Sequence, residues 1–203
     1  MTEWRIYGTA RGPLGRVAEP FAARARLRRV EHFLQVASVG RDTRILDIGC
    51  GAIGLRALLP DYDITGVDLA ERPEYPGPFV RADATTQLPF GDREFDIAYA
   101  NSVVEHIPPE RRGVFASELR RVGRGWYVQT PALGFPIEPH SLLPAAHWLP
   151  PAIRRHYWRL GAAGGDPDEV RLLRRRELEL LFGPAVPERF GPLTKSWVSV
   201  RAP

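Results

Sequence analysis

The residues best suited to chemistry lie in a glycine-rich stretch, ILDIGCGAIG, at residues 45–54. Gly49, Gly51 and Gly54 have the spacing GxGxxG, which lets a backbone turn tightly and approach a bound nucleotide. Asp68 follows about 20 residues later, where a carboxylate can accept hydrogen bonds from ribose hydroxyls. This spacing predicts a nucleoside-binding loop and by itself fits a nicotinamide or flavin dinucleotide.

Asp47 distinguishes between the possible nucleosides, because it lies two residues before Gly49, at the start of the loop. A dinucleotide places a negatively charged pyrophosphate at the N-terminus of the helix that follows such a loop, and a carboxylate there would repel it. A nucleoside that carries a sulfonium and an ammonium group would instead be attracted. The loop therefore favours a cationic nucleoside.

The elements that must position these residues alternate between strands and helices. Helical spacing predicts helices over residues 21–38 and about 110–122, a short helix in IGLRALL, and another from Asp166, its cap, to Gly183. Two extended runs after it predict a terminal antiparallel pair. Short apolar runs predict five earlier strands, in RILDIG, DITGVDL, FVRADA, FDIAYANS and GWYVQT. The order predicts an α/β fold with a doubly wound, mostly parallel, seven-stranded sheet and an antiparallel C-terminal strand.

The chain of 203 residues fits a single domain over residues 1–203. Residues 1–40 are predicted to form an N-terminal arm and helix. Residues 132–165 are rich in aromatic and apolar side chains, which predicts a lid over a substrate. A small satellite core beneath a long loop is the alternative structure for that segment.

Three stretches, in this order, are similar to those of a known family. ILDIGCGAIG resembles motif I of the class I S-adenosylmethionine-dependent methyltransferases, and GVDLA resembles their second motif. RADATTQLPFGDREFDIAYANSVVEHI resembles the stretch over their third and fourth strands, so that the likeness runs from about Arg44 to Pro131. The resemblance, to the small type 11 members, implies a methyltransferase with a Rossmann-like fold and S-adenosylmethionine as its cofactor.

The same resemblance implies which residues bind the cofactor. Gly49 and Gly51, with Cys50 between them, would let the backbone approach the methionine part, and Asp47 would orient this loop or its ammonium partner. Asp68 would hold the ribose hydroxyls. The remaining contacts would come from Leu69 packing on the adenine, Asp83 and Ala84 around the adenine ring, and Asn101 at the methionine end.

The loop departs from the family at one position. The commonest family loop has a glycine where this chain has Ile53, and Gly54 follows instead. We expect a local shift in the approach of the loop to the cofactor, without loss of binding.

Candidate general bases follow the predicted fourth and fifth strands, at the edge where such sheets bind ligands. Glu105 and His106 lie in VVEHI, whereas Glu138 and His140 lie in PIEPH, held between two prolines. We predict His140 and His106 as the catalytic residues, since histidine titrates near neutrality. The alternatives are a loop-packing role for His140 and a loop-orienting role for His106. Methyl transfer needs no metal, and no CxxC motif or His/Cys cluster predicts one.

The composition adds few constraints. The net charge of +4 could indicate an acidic partner, but Lys195 is the only lysine and the arginines are spread along the chain as solvated helix faces would be. The one cysteine excludes an intrachain disulfide. The N-terminus has no apolar leader and no run approaches the length of a membrane span, so a cytoplasmic protein without a membrane partner is expected.

The sequence therefore predicts an enzyme that transfers a methyl group to a small-molecule acceptor, at oxygen or nitrogen, because no RNA- or protein-binding module is added. The arginine content favours an RNA or protein methyltransferase instead, but ANSVVEH lacks the NPPY-type signature that often marks methylation of base amino groups. A cofactor-binding partner without activity is a third hypothesis. Asp47 and Asp83 disfavour a dinucleotide-dependent oxidoreductase.

Overall fold

The computed structural model describes residue 24, residues 26–161 and residues 166–203, so the predicted arm at residues 1–20 lies outside the described residues. Helix α1 covers residues 26–36 of this part. The other helices are α2 (Arg112–Val122), α3 (Pro151–Trp158) and α4 (Arg175–Phe182). The strands are β1 (Arg44–Ile48), β2 (Asp63–Asp68), β3 (Phe79–Arg81), β4 (Phe95–Asn101), β5 (Gly123–Pro131), β6 (Ala185–Phe190) and β7 (Leu193–Arg201).

The strands form one seven-stranded sheet in the order β3-β2-β1-β4-β5-β7-β6. Strands β1 to β5 pair in parallel, whereas β7 is antiparallel to both β5 and β6. The predicted fold class is therefore confirmed. Because β2 and β3 lie on one side of β1 and β4 lies on the other, the gap between the carboxyl ends of β1 and β4 is the switch point where such sheets bind ligands.

Both faces of the sheet are covered, as continuous apolar strands require. Ile45 of β1 faces a core with α1, which contributes Phe33. The next residue, Leu46, points to the opposite face and joins a core with residues of α2 and α4. Each of these side chains is fully buried, so β1 holds the loop after it in a fixed position.

Two predicted helices are shorter than the sequence pattern indicated. The segment IGLRALL forms only a 3-10 turn, Leu55–Ala57. Asp166 does cap a turn, by accepting from the Asp168 N–H, but that 3-10 turn ends at Glu169 and α4 begins only at Arg175. Between them the chain is extended, because the Arg171 N–H donates to the Glu105 carbonyl at 2.8 Å and residue 173 forms an isolated bridge to residue 132.

The predicted lid segment contains a 3-10 turn, Ala146–Trp148, and helix α3, which begins at a proline. Trp158 is buried, whereas Trp148 is half exposed. Part of the segment is thus buried, and both of its predicted roles, as a lid and as a satellite core, stay predictions. Residues 162–165 of it lie outside the described residues. In the part of the chain that the structure describes, no helix is long and apolar enough to cross a membrane.

The unusual position of the third loop glycine has a steric explanation. Gly54 has φ 53° and ψ −159°, a conformation that side chains other than glycine rarely adopt. A Cβ atom there would lie 2.4 Å from Oδ2 of Asp47 and 2.9 Å from Cε2 of Tyr75. The loop therefore needs its glycine at position 54, while Ile53 is accommodated without one.

Replacing this glycine should destabilise the protein more than strain alone explains. We expect Gly54→Ala to lower the free energy of unfolding by about 2–5 kcal/mol, from the left-handed backbone and the clash together. Gly191→Ala is the matched control, because Gly191 also has a positive φ of 58° but its added Cβ meets nothing within 4 Å. It should cost about 1–2 kcal/mol in denaturant unfolding. Equal losses in the two variants would contradict the packing of the loop described here.

Candidate functional site

A cavity of about 330 Å³ lies at the switch point between β1 and β4. The loop after β1 forms one wall, the ends of β2 and β4 form others, and Arg26, Arg29 and Val30 of α1 also line the cavity. Six of the residues predicted to bind the cofactor line this cavity, namely Asp47, Gly49, Cys50, Gly51, Asp68 and Asn101. The volume is that of a typical small-molecule site.

The side chain of Asp47 connects the two ends of the glycine loop. Its side chain is 3% exposed, and its Oδ2 accepts the Leu55 N–H at 2.6 Å, across the whole glycine loop. Burial raises the pKa of this carboxyl to about 7, and the nearby charge of Asp68 adds to the effect. A cationic ligand in the cavity would offset the cost of ionising Asp47.

Asp68 fixes the other side of the loop. Its Oδ2 accepts the Gly51 N–H at 3.0 Å, and its Oδ1 accepts the Ala70 N–H and the Arg72 guanidinium, each at 3.0 Å. No sequence pattern predicted a role for Arg72, which lies in the loop after β2. A ribose at Asp68 would thus share a carboxylate that already orders the backbone around it.

The cavity offers both an acceptor and open space to a ligand. The buried Oδ1 of Asn101 has no hydrogen-bond partner among the described residues. Because an unpaired buried acceptor is costly, a ligand N–H or O–H donor there would be favourable. A Cβ added to Gly51 would meet no atom within 4 Å, so the loop faces open space. These features fit a nucleoside that carries an ammonium group.

Cys50 is buried within the loop. Burial, followed by the charges of Asp47 and Asp68, raises the pKa of its thiol far above the usual range. A thiol that stays protonated is a poor nucleophile. Cys50 therefore acts here as an apolar wall of the cavity.

The three residues predicted around the adenine lie at the same edge of the sheet but outside the lining of the cavity. Leu69 is 67% exposed and can pack on a ligand. Asp83 accepts hydrogen bonds from the Thr85 hydroxyl and N–H, which lower the pKa of its carboxyl, and Arg111 lies 3.7 Å away. Ala84 is half buried against the core. Their adenine contacts stay a prediction.

The predicted catalytic histidines meet, although they are 34 residues apart in sequence. His106 comes from the 3-10 turn Val104–His106 after β4, and His140 from the loop after β5. Their Nε2 atoms are 3.2 Å apart. Oε1 of Glu138 lies 2.8 Å from the Nδ1 of His140, and because a carboxylate only accepts, the Nδ1–H donates.

Glu105 lies beneath this pair and is fully buried. Its Oε2 accepts from the Thr130 hydroxyl at 2.9 Å, while its Oε1 has no hydrogen-bond partner among the described residues. Thr130 was not singled out in the sequence, although its place at the end of a predicted strand could have indicated it. The four side chains Glu105, His106, Glu138 and His140 are called the histidine cluster below.

The surroundings shift the pKa values of the residues in the histidine cluster in different directions. Burial would lower the pKa of His140, but the hydrogen bond and charge of Glu138 outweigh it and raise that pKa. The packed surroundings of the His106 ring and the neighbouring His140 lower the pKa of His106, although much of its side chain is exposed. Burial raises the pKa of Glu105, an effect that its hydrogen bonds and neighbouring cations only partly oppose.

Another histidine of the predicted lid segment, His147, lies apart from the histidine cluster. Its Nε2 is 3.0 Å from the Leu133 carbonyl, which the Trp148 indole N–H also contacts. His147 lines a second hollow of about 480 Å³ between the predicted lid and residues 168–172. Arg155 holds this region to Asp168 through its Nε, at 2.9 Å.

Comparison with known proteins identifies the domain type. A family model described as "Methyltransferase domain" matches residues 46–125. No curated protein sequence matches the chain. Solved structures do match, at sequence identities that show the fold alone.

Three of these structures illustrate the likeness. Magnesium protoporphyrin IX methyltransferase from Synechocystis PCC 6803 is 14% identical with a TM-score of 0.61, and the match covers 98% of this chain and 92% of that one. The 1,6-didemethyltoxoflavin-N1-methyltransferase of Burkholderia thailandensis is 20% identical, with a TM-score of 0.54 and coverage of 89% and 79%. A SAM-dependent methyltransferase from Methanosarcina mazei is 17% identical, with a TM-score of 0.53 and coverage of 80% and 92%.

The raised pKa of Asp47 predicts an unusual pH dependence of stability. Between about pH 4 and pH 7 the folded chain keeps a proton that the unfolded chain has lost, so stability falls as the pH rises. We expect the free energy of unfolding of the native chain to fall relative to that of Asp47→Asn, by about 1 kcal/mol per pH unit, and to level off above pH 7. Denaturant titrations at several pH values measure this difference. A difference that stays constant through the window would contradict the protonation of Asp47.

Proposed function

We propose that the chain transfers a methyl group to a small-molecule acceptor at oxygen or nitrogen. The proposal starts from its motifs, which resemble those of the class I S-adenosylmethionine-dependent methyltransferases, and from the match of residues 46–125 to the methyltransferase-domain model. The observation that carries the proposal is the cavity at the switch point, where Asp47, Asn101 and the open side of Gly51 face one space. Two of the similar structures contain bound S-adenosylhomocysteine, the product of such a transfer.

When bound, S-adenosylmethionine supplies a methyl group on a positively charged sulfur. The chain's own residues bind and orient it. The Asn101 Oδ1 accepts from the ammonium group, and the Asp47 carboxylate offsets the positive charge of the ligand. Asp68 accepts from the ribose while keeping Gly51 in place. Leu69, Asp83 and Ala84 contact the adenine at the outer edge.

The preference for a small acceptor rests on two supports. Two proteins of similar fold are named as methyltransferases of magnesium protoporphyrin IX and of 1,6-didemethyltoxoflavin, both small molecules. The segment at residues 132–165 is also rich in apolar and aromatic side chains, and we propose that its described part, residues 132–161, covers the acceptor.

The histidine cluster is the place where the acceptor gives up its proton. It stands on the turn after β4 and the loop after β5, and Val103 of that turn packs on the glycine loop, since a Cβ on Gly49 would lie 2.6 Å from Val103 Cγ2. An acceptor that contacts His106 and His140 would therefore lie beside the reactive end of the cofactor. We propose these two histidines as the catalytic residues.

The ribose contact is testable without knowledge of the acceptor. Asp68→Ala should weaken binding of S-adenosylhomocysteine by about 1–3 kcal/mol, because charge-assisted hydrogen bonds are lost. Asp61→Ala is the matched control, since Asp61 has a side chain that is 67% exposed and pairs with Arg41 before β2 begins. Isothermal titration calorimetry of the two variants and the native chain measures the difference. Equal affinities in all three would refute the placement of the ribose at Asp68.

The acceptor site is tested by turnover. A panel of small hydroxyl and amine compounds, with a short RNA included, is incubated with radiolabelled S-adenosylmethionine to find an acceptor. With that acceptor, we expect His140→Ala to lower turnover about 100-fold or more, while its affinity for S-adenosylhomocysteine stays unchanged. His32→Ala, an exposed histidine of α1, is the control and should keep full turnover. Unchanged turnover in His140→Ala would remove this residue from catalysis, and methylation of the RNA alone would replace the small-molecule acceptor.

A further inference from the structure

The histidine cluster contains a set of donor atoms that the proposed transfer does not by itself require. One donor atom each from Glu105, His106 and His140 lie within 4.8 Å of one another. Two imidazole nitrogens and one carboxylate are the ligands of many catalytic metal sites that keep further positions open. No metal-ligand spacing in the sequence predicted this set, because the two histidines are 34 residues apart along the chain.

The spacing of the two ring nitrogens fits a shared cation. The two imidazole Nε2 atoms are 3.2 Å apart, with the ring planes nearly perpendicular. Two nitrogens at this distance need either a proton or a cation between them. Two nitrogens bound tetrahedrally to one Zn²⁺, at about 2.0–2.1 Å each, lie about 3.3–3.4 Å apart. The rings therefore already stand at nearly the spacing of a metal-bound pair.

The protonation imposed by Glu138 points in the same direction. The Nδ1–H of His140 donates to Glu138, which is 1% exposed and is also held by the N–H groups of His140 and Ser141. A metal-binding histidine commonly donates its second ring N–H to a carboxylate, which fixes the tautomer and turns the other nitrogen to the metal. His140 has this arrangement.

The fully buried Glu105 supplies the anionic ligand. Thr130 binds its Oε2, so that Oε1 is left without a hydrogen-bond partner among the described residues, and one carboxylate oxygen of Glu105 lies within 4.8 Å of a ring nitrogen of each histidine. A buried carboxylate oxygen without a partner is costly, and a cation at this point would remove the cost. His106 is exposed, which leaves the outer side of the cluster open to further ligands.

We propose that Glu105, His106 and His140 bind one divalent transition-metal ion, with Glu138 as the positioning residue for His140. The site stands on its own geometry, whereas its role rests on the proposed function. There His106 and His140 would act as metal ligands in place of direct bases. The cation would take a hydroxyl oxygen of the acceptor as a further ligand and lower the pKa of that hydroxyl, so that its proton passes to water. The acceptor class is accordingly a hydroxyl compound.

Metal binding is measured directly on the full chain, purified without a histidine tag and treated with a chelator. Titration calorimetry with Zn²⁺ alone should give one site per chain. Glu105→Gln and His106→Ala should each weaken it by about tenfold or more, whereas the control His32→Ala should bind as the native chain does. No binding of Zn²⁺, or equal binding in all four proteins, would overturn the proposal.

A second measurement guards against variants that fold poorly. Zn²⁺ should raise the melting temperature of the native chain and of His32→Ala, and should leave that of Glu105→Gln and His106→Ala unchanged, whatever their own stability. An equal rise in Glu105→Gln would overturn the assignment of Glu105.

Titration of the same protein with S-adenosylhomocysteine separates the two proposals. Binding of the nucleoside without binding of Zn²⁺ would refute the metal site alone. Binding of Zn²⁺ without the nucleoside would leave the metal site and refute the proposed function.

Discussion

The hydrogen bond from the Leu55 N–H to the buried carboxyl of Asp47 spans the glycine loop and determines its shape. It forces the chain to turn back at Gly54, where any side chain would collide with Asp47 and Tyr75. It also buries an acid, and burial raises the pKa of that carboxyl to about 7, so that a positively charged ligand beside it would favour its ionised form. The rest of the site is arranged around this loop, since Asp68 binds it from β2 and Val103 packs on it from the turn after β4.

That packing joins two parts of the site that the sequence keeps separate. The cofactor cavity belongs to the loops after β1 and β2, and the histidine cluster belongs to the loops after β4 and β5. Because β1 and β4 are neighbours at the switch point, the turn that carries Glu105 and His106 begins directly beside the glycine loop. The fold thereby places the cavity and the histidine cluster side by side.

Much of the fold follows from local sequence. The strand RILDIG was predictable because a strand buried on both faces must be apolar throughout, and Gly183 ends α4 as predicted. The start of α4 was not, because the contacts of residues 171 and 173 with distant segments outweigh the helix cap at Asp166. Helix α3 was missed, although a proline at its first position is a known start signal.

The candidate site, like the fold, was predictable from the sequence only in part. The residues of the glycine loop and Asp68, which line the cavity, were predictable, since a short motif after one strand and an acid after the next indicate them. The histidine cluster was predictable only as separate candidates, because the tertiary fold alone brings His106 and His140 into contact. The free Oε1 of Glu105 and the orienting bond from Glu138 depend on burial, which no spacing reveals.

The assignment of the cavity to a cationic nucleoside is tested most directly by titration calorimetry of the full chain with S-adenosylhomocysteine, with NADH in a parallel titration. We expect binding of S-adenosylhomocysteine at about micromolar affinity, or about −8 kcal/mol, and no binding of NADH. Binding of NADH in its place would mean that the loop held by Asp47 accepts a pyrophosphate, and it would contradict the assignment of this cavity to a cationic nucleoside.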